Sequence, residues 1–466
     1  MRNRELARWA RRIRNSKGRP IYNLIPDLIA EDIDSGRLQT RDRLPTLREV
    51  ATASGINYTT AARAYNEAKV RGLIVSHPGS GTFVKGKTAT IPPSAGSYEM
   101  SMNLMIEPAI PTLTEQVRDG AISVIAQQDI YSLLRYQAFG GSPENKEAGL
   151  IWLEQRLENP TAEQLLICPG IHSALLGLIS TLIRKDQVLC VESLAYPGIK
   201  GITAQLGIQL HSLERDSHGP LVKPFEQICK KGQVGALYLN PILQNPTTST
   251  ISPRRREALA EVCLRYSIPI IEDDAYTMLV ESAPTSFFDL APELTWYITG
   301  TSKCFGPGVR CAFLYTPSKR HCQRISAAMR ALHVMSSPLT DALVCQWILD
   351  GTATQMVNAT RREAIARLNI AKTLLDDNTI QSAEGAFHFW FTIPETSDWT
   401  PSELAAELRQ IGISAVSSAA FATDNNPPNA LRLCFGGPIT RTQWQDNLQH
   451  AAELIRQPSF MTTGMH

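Results

Sequence analysis

The chain has 466 residues, 43% of them hydrophobic and 19% charged, with 46 Lys+Arg against 44 Asp+Glu and a formal net charge of +2. That length exceeds what one core usually organises, and that composition excludes a collagenous, disordered or cysteine-stapled chain. The longest uncharged apolar stretch, Ala174 to Ile183, falls far short of the roughly 20 residues that span a bilayer, so no membrane segment is expected.

The near-neutral total hides an uneven distribution. Residues 1–87 hold 17 Lys+Arg against 8 Asp+Glu, and the remainder holds 29 against 36. A basic head on an acidic body is the footprint of a domain that neutralises phosphates. Within residues 1–19, Arg2, Arg4, Arg8, Arg11, Arg12, Arg14, Lys17 and Arg19 are opposed only by Glu5. This reads as a basic N-terminal arm, either tracking a DNA backbone or minor groove or standing as a solvated extension. Organellar transit peptides also start Arg-rich, but the folded pattern immediately downstream argues against removal.

Residues 20–85 carry that pattern. Ile21, Leu24, Ile25, Leu28, Ile29 and Ile33 recur at helical spacing up to Ser35-Gly36. Thr46-Leu47-Arg48-Glu49 is a capping box that opens a second helix ending at Gly55. Asn57 is placed to cap a third helix, which closes near Gly72. Leu73-Ile74-Val75 and Thr82-Phe83-Val84 then flank His77-Pro78-Gly79-Ser80-Gly81 as a hairpin. Three helices and a hairpin make a winged helix-turn-helix, with Tyr58, Thr59, Thr60 and Arg63 free to meet a major groove and its phosphates.

The segment resembles the GntR family DNA-binding domain through Gly36-Arg37-Leu38, Arg43-Leu44-Pro45-Thr46-Leu47-Arg48 and the terminal Gly79-Ser80-Gly81-Thr82-Phe83-Val84. The resemblance implies DNA contacts from Arg48, Tyr58, Thr59, Thr60 and Arg63, and from the wing at Gly79 and Ser80. Many relatives carry an arginine where this chain has Tyr58, so their base preference does not transfer.

Residues 86–98 are poor in large apolar side chains and contain Pro92-Pro93, which marks a linker. From there to about Tyr315, apolar strand-like runs alternate with helical stretches, as a mostly parallel sheet requires. Ser252-Pro253 caps and opens one crossover helix. Pro169-Gly170-Ile171-His172-Ser173 opens the stretch from Ala174, so free N–H groups at a helix start offer an anion site, with His172 as a backbone donor. Val188 to Val191 feeds Tyr196, a ring available for stacking or simply core. Val234 to Leu239 feeds the segment Asn240 to Thr248, in which Asn245 either donates to a phenolate oxygen or sits in a Pro-bracketed turn.

Ile268-Pro269-Ile270-Ile271 is an apolar run ending in Glu272-Asp273-Asp274, which reads as a buried parallel strand. A carboxylate at its carboxyl end, Asp273, holds a pyridinium nitrogen protonated, unless it merely caps the loop. Gly300-Thr301-Ser302-Lys303 surrounds a lysine with small residues, and Arg310 follows seven positions later. That suits a carbonyl cofactor bearing a phosphate, with Arg310 as a bidentate fork; the alternative is a solvated turn. After about Leu332 a smaller α/β lobe follows, with Ala386 to Phe391 as a strand and His388 as a structural residue of it.

Together these pieces resemble the fold type I pyridoxal 5′-phosphate (PLP) enzymes, the aspartate aminotransferase superfamily, over about residues 99–456. The large lobe is expected over about 99–330, the small lobe over about 331–456, and a tail over 457–466. The resemblance implies Lys303 as the Schiff-base lysine, Asp273 as partner of the pyridine nitrogen, Asn245 and Tyr276 as donors to the ring hydroxyl, and Tyr196 as the stacked ring. It implies a phosphate cup of Ile171 and His172 through backbone, Ser302 and Arg310, completed by Tyr136 from a second subunit. Arg432, in Leu431-Arg432-Leu433, is similar to the arginine that clamps a substrate carboxylate; a strand-edge surface arginine is the alternative. Two positions depart from the family pattern: Thr248 ends the usual Asn-Pro-Thr-Gly, and Gly300 stands where a phosphate-binding Ser or Thr precedes the lysine by three.

A GntR-like winged helix joined to an aminotransferase-like body resembles the MocR family of bacterial transcription regulators over nearly the whole chain. The likeness implies a multidomain homodimer with operator DNA as partner and an amino compound, or PLP itself, as effector, sensed through the internal Schiff base at Lys303. The alternatives are an active aminotransferase that carries a DNA-binding domain, and a non-catalytic body with an unrelated ligand. Nine scattered cysteines without a Cys-x-x-Cys predict reduced thiols in a cytoplasm and no metal site, with Cys304 an inert buried thiol rather than an oxidation-sensitive one.

Overall fold

The computed structural model describes residues 2–15, 20–39, 42–77, 81–84, 102–375 and 379–456. The chain divides into two compact units, Met1–Tyr98 and Glu99–His466. The wing residues Gly79 and Ser80, the segment 86–98, Lys17, Arg19 and the tail 457–466 lie outside the described residues.

The first helix, α1 (Arg2–Asn15), corrects the reading of a basic arm. Trp9, Ala10 and Ile13 share one face of it and are buried in the core of the N-terminal unit. Three of its arginines bond partners that a count along the sequence does not reveal. Arg8 bonds Asp32, Arg12 bonds Glu31, and Arg14 donates to the Ala53 carbonyl at 2.9 Å. Asp32 is fully buried and also accepts from Trp9 Nε1 and Arg37 Nε, each at 2.7 Å.

Helix α2 (Ile21–Asp34) buries Leu24, Ile25, Leu28 and Ile29, as its spacing predicts. Helix α3 (Leu47–Ser54) has both bonds of the Thr46–Glu49 capping box and ends at Gly55, whose φ of 69° suits glycine. Helix α4 (Tyr58–Val70) starts after Asn57, which takes the cap's extended backbone but makes no side-chain cap bond, a correction to its expected role. Strands β1 (Ile74–His77) and β2 (Gly81–Val84) pair antiparallel, with Ile74 opposite Val84.

The C-terminal unit is built on seven strands: β3 (Leu165–Cys168), β4 (Val188–Glu192), β5 (Gln209–Leu213), β6 (Val234–Leu239), β7 (Ile270–Asp273), β8 (Thr295–Gly300) and β9 (Ala312–Tyr315). Their order is β3-β9-β8-β7-β6-β4-β5, and only β9 runs against its neighbours. The central strands are apolar without alternation because both faces are covered. Ile271 packs in the cluster that holds α5 (Ile171–Leu182), whereas the adjacent Ile270 packs with α6 (Pro253–Tyr266). Helix α6 begins with proline in its first turn, but Ser252 before it makes no side-chain cap bond. Among the described residues no helix is long and apolar enough to cross a membrane.

The smaller lobe carries an antiparallel sheet of β10 (Ile380–Gln381), β11 (His388–Thr392), β12 (Ser414–Ser417) and β13 (Ala430–Cys434), in the order β10-β11-β13-β12. Its two faces are sorted by the period of two. Phe389, Phe391, Leu431 and Leu433 enter the core with Leu404, Trp444 and Leu448. His388, Trp390, Arg432 and Cys434 share the other face, since His388 stands opposite Cys434 and Trp390 opposite Arg432. Strand β13 is internal to the sheet and Arg432 is buried, which corrects the alternative of a strand-edge surface arginine.

Candidate cofactor and effector site

Strands β3, β4, β6, β7 and β8 run in one direction, so the segments that follow them collect at one edge of the sheet. Asp273, the last residue of β7, is buried there. Its Oδ2 accepts from Tyr238 OH at 2.7 Å, while its Oδ1 is buried with no hydrogen-bond partner among the described residues. Burial pushes this carboxyl up to about 7, against the pull of the Tyr238 bond. The flanking acids face the opposite way. Glu272 accepts from the Phe288 N–H at 3.0 Å and lies 3.6 Å from Arg256, while Asp274 takes Arg156 at 3.2 Å and Tyr297 OH at 2.9 Å.

Lys303 follows β8, and its Nζ donates to the Asn103 carbonyl at 2.5 Å. The rings of Tyr276 and Phe387 stand 5.9 and 5.8 Å away, and burial lowers the amine to about 8. Tyr276 OH accepts from Asn103 Nδ2 at 2.8 Å, which leaves its own hydroxyl hydrogen to be given elsewhere. Asn245 Oδ1 accepts from Arg432 Nη1 at 3.2 Å, so its amide N–H groups are what it has to offer. Asn240 laces this loop to β7: its Oδ1 accepts from the Asn245 N–H at 2.9 Å and its Nδ2 donates to the Asp273 carbonyl at 2.8 Å. Tyr196 is half-buried and folds over Gly198, where a Cβ would sit 2.3 Å from its ring. Its hydroxyl is raised by burial and by Asp273 and lowered by Arg310 and Arg432, so those charges surround one space.

The anion end is equally local. Gly170 has a φ of 91°, and a Cβ there would lie 2.9 Å from Arg310 Nη2, so the guanidinium rests against the start of α5. Among the described residues no carboxylate pairs with Arg310, which leaves the helix N-terminus and this cation to face an anion together. Partial burial and the Arg310 charge hold His172 below its usual value. Ser302 is half-buried beside Lys303. The two family departures acquire physical reasons. A Cβ at Gly300 would meet Ile171 Cδ1 at 2.6 Å, so an isoleucine methyl occupies the room a hydroxyl side chain would need. Thr248 adopts the left-handed φ of 58° that glycine ordinarily supplies.

Four residues of the site escaped the sequence reading: Asn103, Tyr238, Asn240 and His388. Asn240 was visible only as part of the loop after β6, and Tyr238 only as an apolar strand residue. Asn103 has no local signal, because its partners Tyr276 and His388 are 173 and 285 residues away. His388 is fully buried and more than a structural strand residue: its Nδ1 is 3.0 Å from Asn103 Nδ2 and its ring centroid 5.8 Å from that of Tyr276. Tyr136 is not brought to this edge within its own chain; it is 84% exposed.

In the N-terminal unit Arg48, Tyr58, Thr59 and Arg63 are exposed and Thr60 is half-buried. Arg63 is not free, since its guanidinium stacks 4.0 Å from the centroid of the Tyr22 ring.

A half-buried lysine, an open buried carboxylate and an anion cradle on one edge of a mostly parallel sheet define a PLP-binding fold type I body. Residues 105–449 match the family of aminotransferase class I and II, and the chain belongs to that family. Residues 21–84 match the gntR family of bacterial regulatory proteins. Joined in one chain, the two make a transcription regulator of the MocR type.

The HTH-type transcriptional regulator YdeF of Bacillus subtilis is 25% identical over 455 residues, covering 94% of this chain and 95% of that one. The vitamin B6 salvage pathway transcriptional repressor PtsJ of Salmonella typhimurium is 25% identical over 74% of this chain and 80% of its own. Among solved structures, LysN, the alpha-aminoadipate aminotransferase of Thermus thermophilus, superimposes with a TM-score of 0.68 at 20% identity, over 77% of this chain and 91% of that one.

Proposed function

We propose that this regulator is a cytoplasmic homodimer that holds PLP on Lys303, takes an amino compound at the same site, and converts that event into a change in operator binding. The observation that carries the reading is the pairing of the half-buried Lys303 amine with Asp273, whose Oδ1 is open and whose charge the amine feels, in a chain that also bears a gntR-type domain.

Bound there, the cofactor supplies an aldehyde that exchanges one amine for another. Lys303 is suited to it because burial lowers its amine to about 8, which raises the neutral, nucleophilic fraction near pH 7. Asp273 Oδ1 would accept the ring N–H, while Tyr276 O–H and the Asn245 amide would donate to the ring oxygen. The N–H groups of Ile171 and His172, with Ser302 and Arg310, would hold the phosphate, and Tyr196 would cover the ring. Arg432, buried and steadied by Asn245, would take the carboxylate of the amino compound.

Exposed Ile122, Ile125, Ile130, Tyr131, Leu134 and Tyr136 form an apolar run unusual for a free surface, which supports a second copy seated over it, with Tyr136 reaching the neighbour's phosphate. Arg48, Tyr58, Thr59, Thr60, Arg63 and the wing at Gly79 and Ser80 are the DNA contacts in this reading. The nine cysteines are free and buried, in keeping with a reducing compartment. For a switch, the effector must bind one arrangement better than the other.

The similarity to PtsJ, named for repression of vitamin B6 salvage, favours a second reading in which PLP itself is the effector. One experiment separates these readings. PLP is added to the purified protein, the visible Schiff-base band is recorded, borohydride trapping with peptide mapping locates the label, and amines are screened alongside operator affinity. The label is expected on Lys303, and amines that shift the band are expected to shift operator affinity. A DNA response to PLP alone establishes the second reading, keto-acid turnover abolished by Lys303→Ala establishes an enzyme, and absence of any band in wild type sinks the proposal.

A further inference from the structure

Residues 102–106 lie across the site as a strap, and four consecutive carbonyls of it are accounted for. The Met102 carbonyl accepts from Ser414 Oγ at 3.2 Å, that of Leu104 from Cys434 Sγ at 3.4 Å, and that of Met105 from the Gly437 N–H at 2.7 Å. Ile106 forms a bridge with Gly437, and a Cβ at Gly436 would fall 1.8 Å from the Leu104 oxygen, so the small lobe carries a groove of glycine depth for this strap. The fourth carbonyl, that of Asn103, is the exception. It accepts from Lys303 Nζ on the large lobe.

The Asn103 side chain repeats the division. Nδ2 donates to Tyr276 OH on the large lobe and to His388 Nδ1 on the small one, while Oδ1 is buried with no hydrogen-bond partner among the described residues. His388 can accept at Nδ1 because burial, with Arg432 and Lys303 nearby, holds it neutral. Going toward the N-terminus, the chain passes from this strap to the unit that ends at Tyr98 and contains the DNA-binding helices.

We propose that Asn103 is a positioning residue that couples the site to the DNA-binding unit: its carbonyl holds the Lys303 amine, its amide orients Tyr276 and His388, and a change at Lys303 is passed along residues 102–106. This rests on the reading that Lys303 carries the cofactor. A primary amine engages Asn103 with its own hydrogens, and a nitrogen bound twice to carbon has at most one hydrogen left, so the Asn103 carbonyl loses or shares its donor when the lysine is modified.

The test uses full-length wild type, Asn103→Ala and Asn103→Asp, with PLP as the probe. Three quantities are measured: the Schiff-base band and its pH midpoint, amide hydrogen exchange of residues 102–106, and the ratio of operator Kd without and with PLP and amine. Wild type should show altered exchange in the strap on loading and a ratio of about fivefold or more. Both variants keep the Asn103 backbone carbonyl but lose or alter the amide that fixes its position against Tyr276 and His388, so both should still be trapped at Lys303 by borohydride, with a displaced pH midpoint and a ratio reduced to within about twofold. Wild-type ratios in both variants, or strap exchange unchanged by loading in wild type while operator affinity shifts, overturn the proposal. If neither variant loads, strap exchange in wild type decides the matter. A wild type without any band defeats the underlying reading instead, so the two failures are distinguishable.

Discussion

Each unit of the molecule buries an acid, and the two acids are treated in opposite ways. Asp32 in the N-terminal unit is enclosed by Arg8, Trp9 and Arg37, which satisfy both of its oxygens. Asp273 in the C-terminal unit receives one phenol on Oδ2 and, among the described residues, nothing on Oδ1. Burying a carboxylate is costly unless hydrogen bonds replace water. Asp32 meets that requirement within the chain, whereas Asp273 leaves one oxygen open, which in the proposed function is completed by a ligand that brings a positive N–H. The same contrast separates Arg8 and Arg12 of α1, which pair with acids of their own unit, from Arg310, to which the proposed function gives the phosphate.

The strongest way to break this comparison is Lys303→Ala, which should abolish the borohydride-trapped label altogether, as peptide mapping will show. Next in size is Asp32→Ala. It leaves Arg8 and the Trp9 indole without their buried acceptor and should cost the N-terminal unit about 3–5 kcal/mol in denaturant unfolding. At or below about pH 4, where the carboxyl is protonated folded or unfolded, Asp273→Asn should change the unfolding of cofactor-free protein by less than about 1 kcal/mol, yet near pH 7 it should weaken PLP binding roughly ten- to hundredfold, the worth of a hydrogen bond to a charged group. Equal destabilisation by the two substitutions would erase the distinction.

The pH dependence sharpens it further. The folded Asp273 carboxyl sits at about 7, above the unfolded value near about 4, so the cofactor-free fold binds a proton that the unfolded chain releases. Its contribution to stability is therefore present at low pH and lost as pH rises from about 4 to about 7. PLP affinity should move the other way, strengthening as pH rises toward 7 because the ring cation requires the carboxylate. Asp273→Asn should flatten both profiles. The smallest expected effect is in the other unit: Arg48→Ala should lower the slope of log operator affinity against log salt by about 0.9 for one phosphate contact.

How much of this was legible in advance depended on the range of the interaction. The Thr46–Glu49 box, the stripe of α2 and the run into Asp273 are contained within a few residues, so propensity and periodicity reveal them. The N-terminal arginines were counted correctly and interpreted wrongly. Their partners Asp32, Glu31 and the Ala53 carbonyl lie on other helices, and net charge along a chain carries no information about pairing.

The line between the two sources of order runs through β11 and β13. Strand pattern alone places Arg432 and His388 on strands, because alternation is a local property of the pleat. Only the register that sets His388 opposite Cys434, and the closing of that face over Asn103 and Lys303, turns both side chains toward the site. Which residues form helix, strand or turn follows from interactions over one or two turns of chain. Which buried polar atoms are left open, the Oδ1 atoms of Asp273 and Asn103 among them, follows from contacts across hundreds of residues.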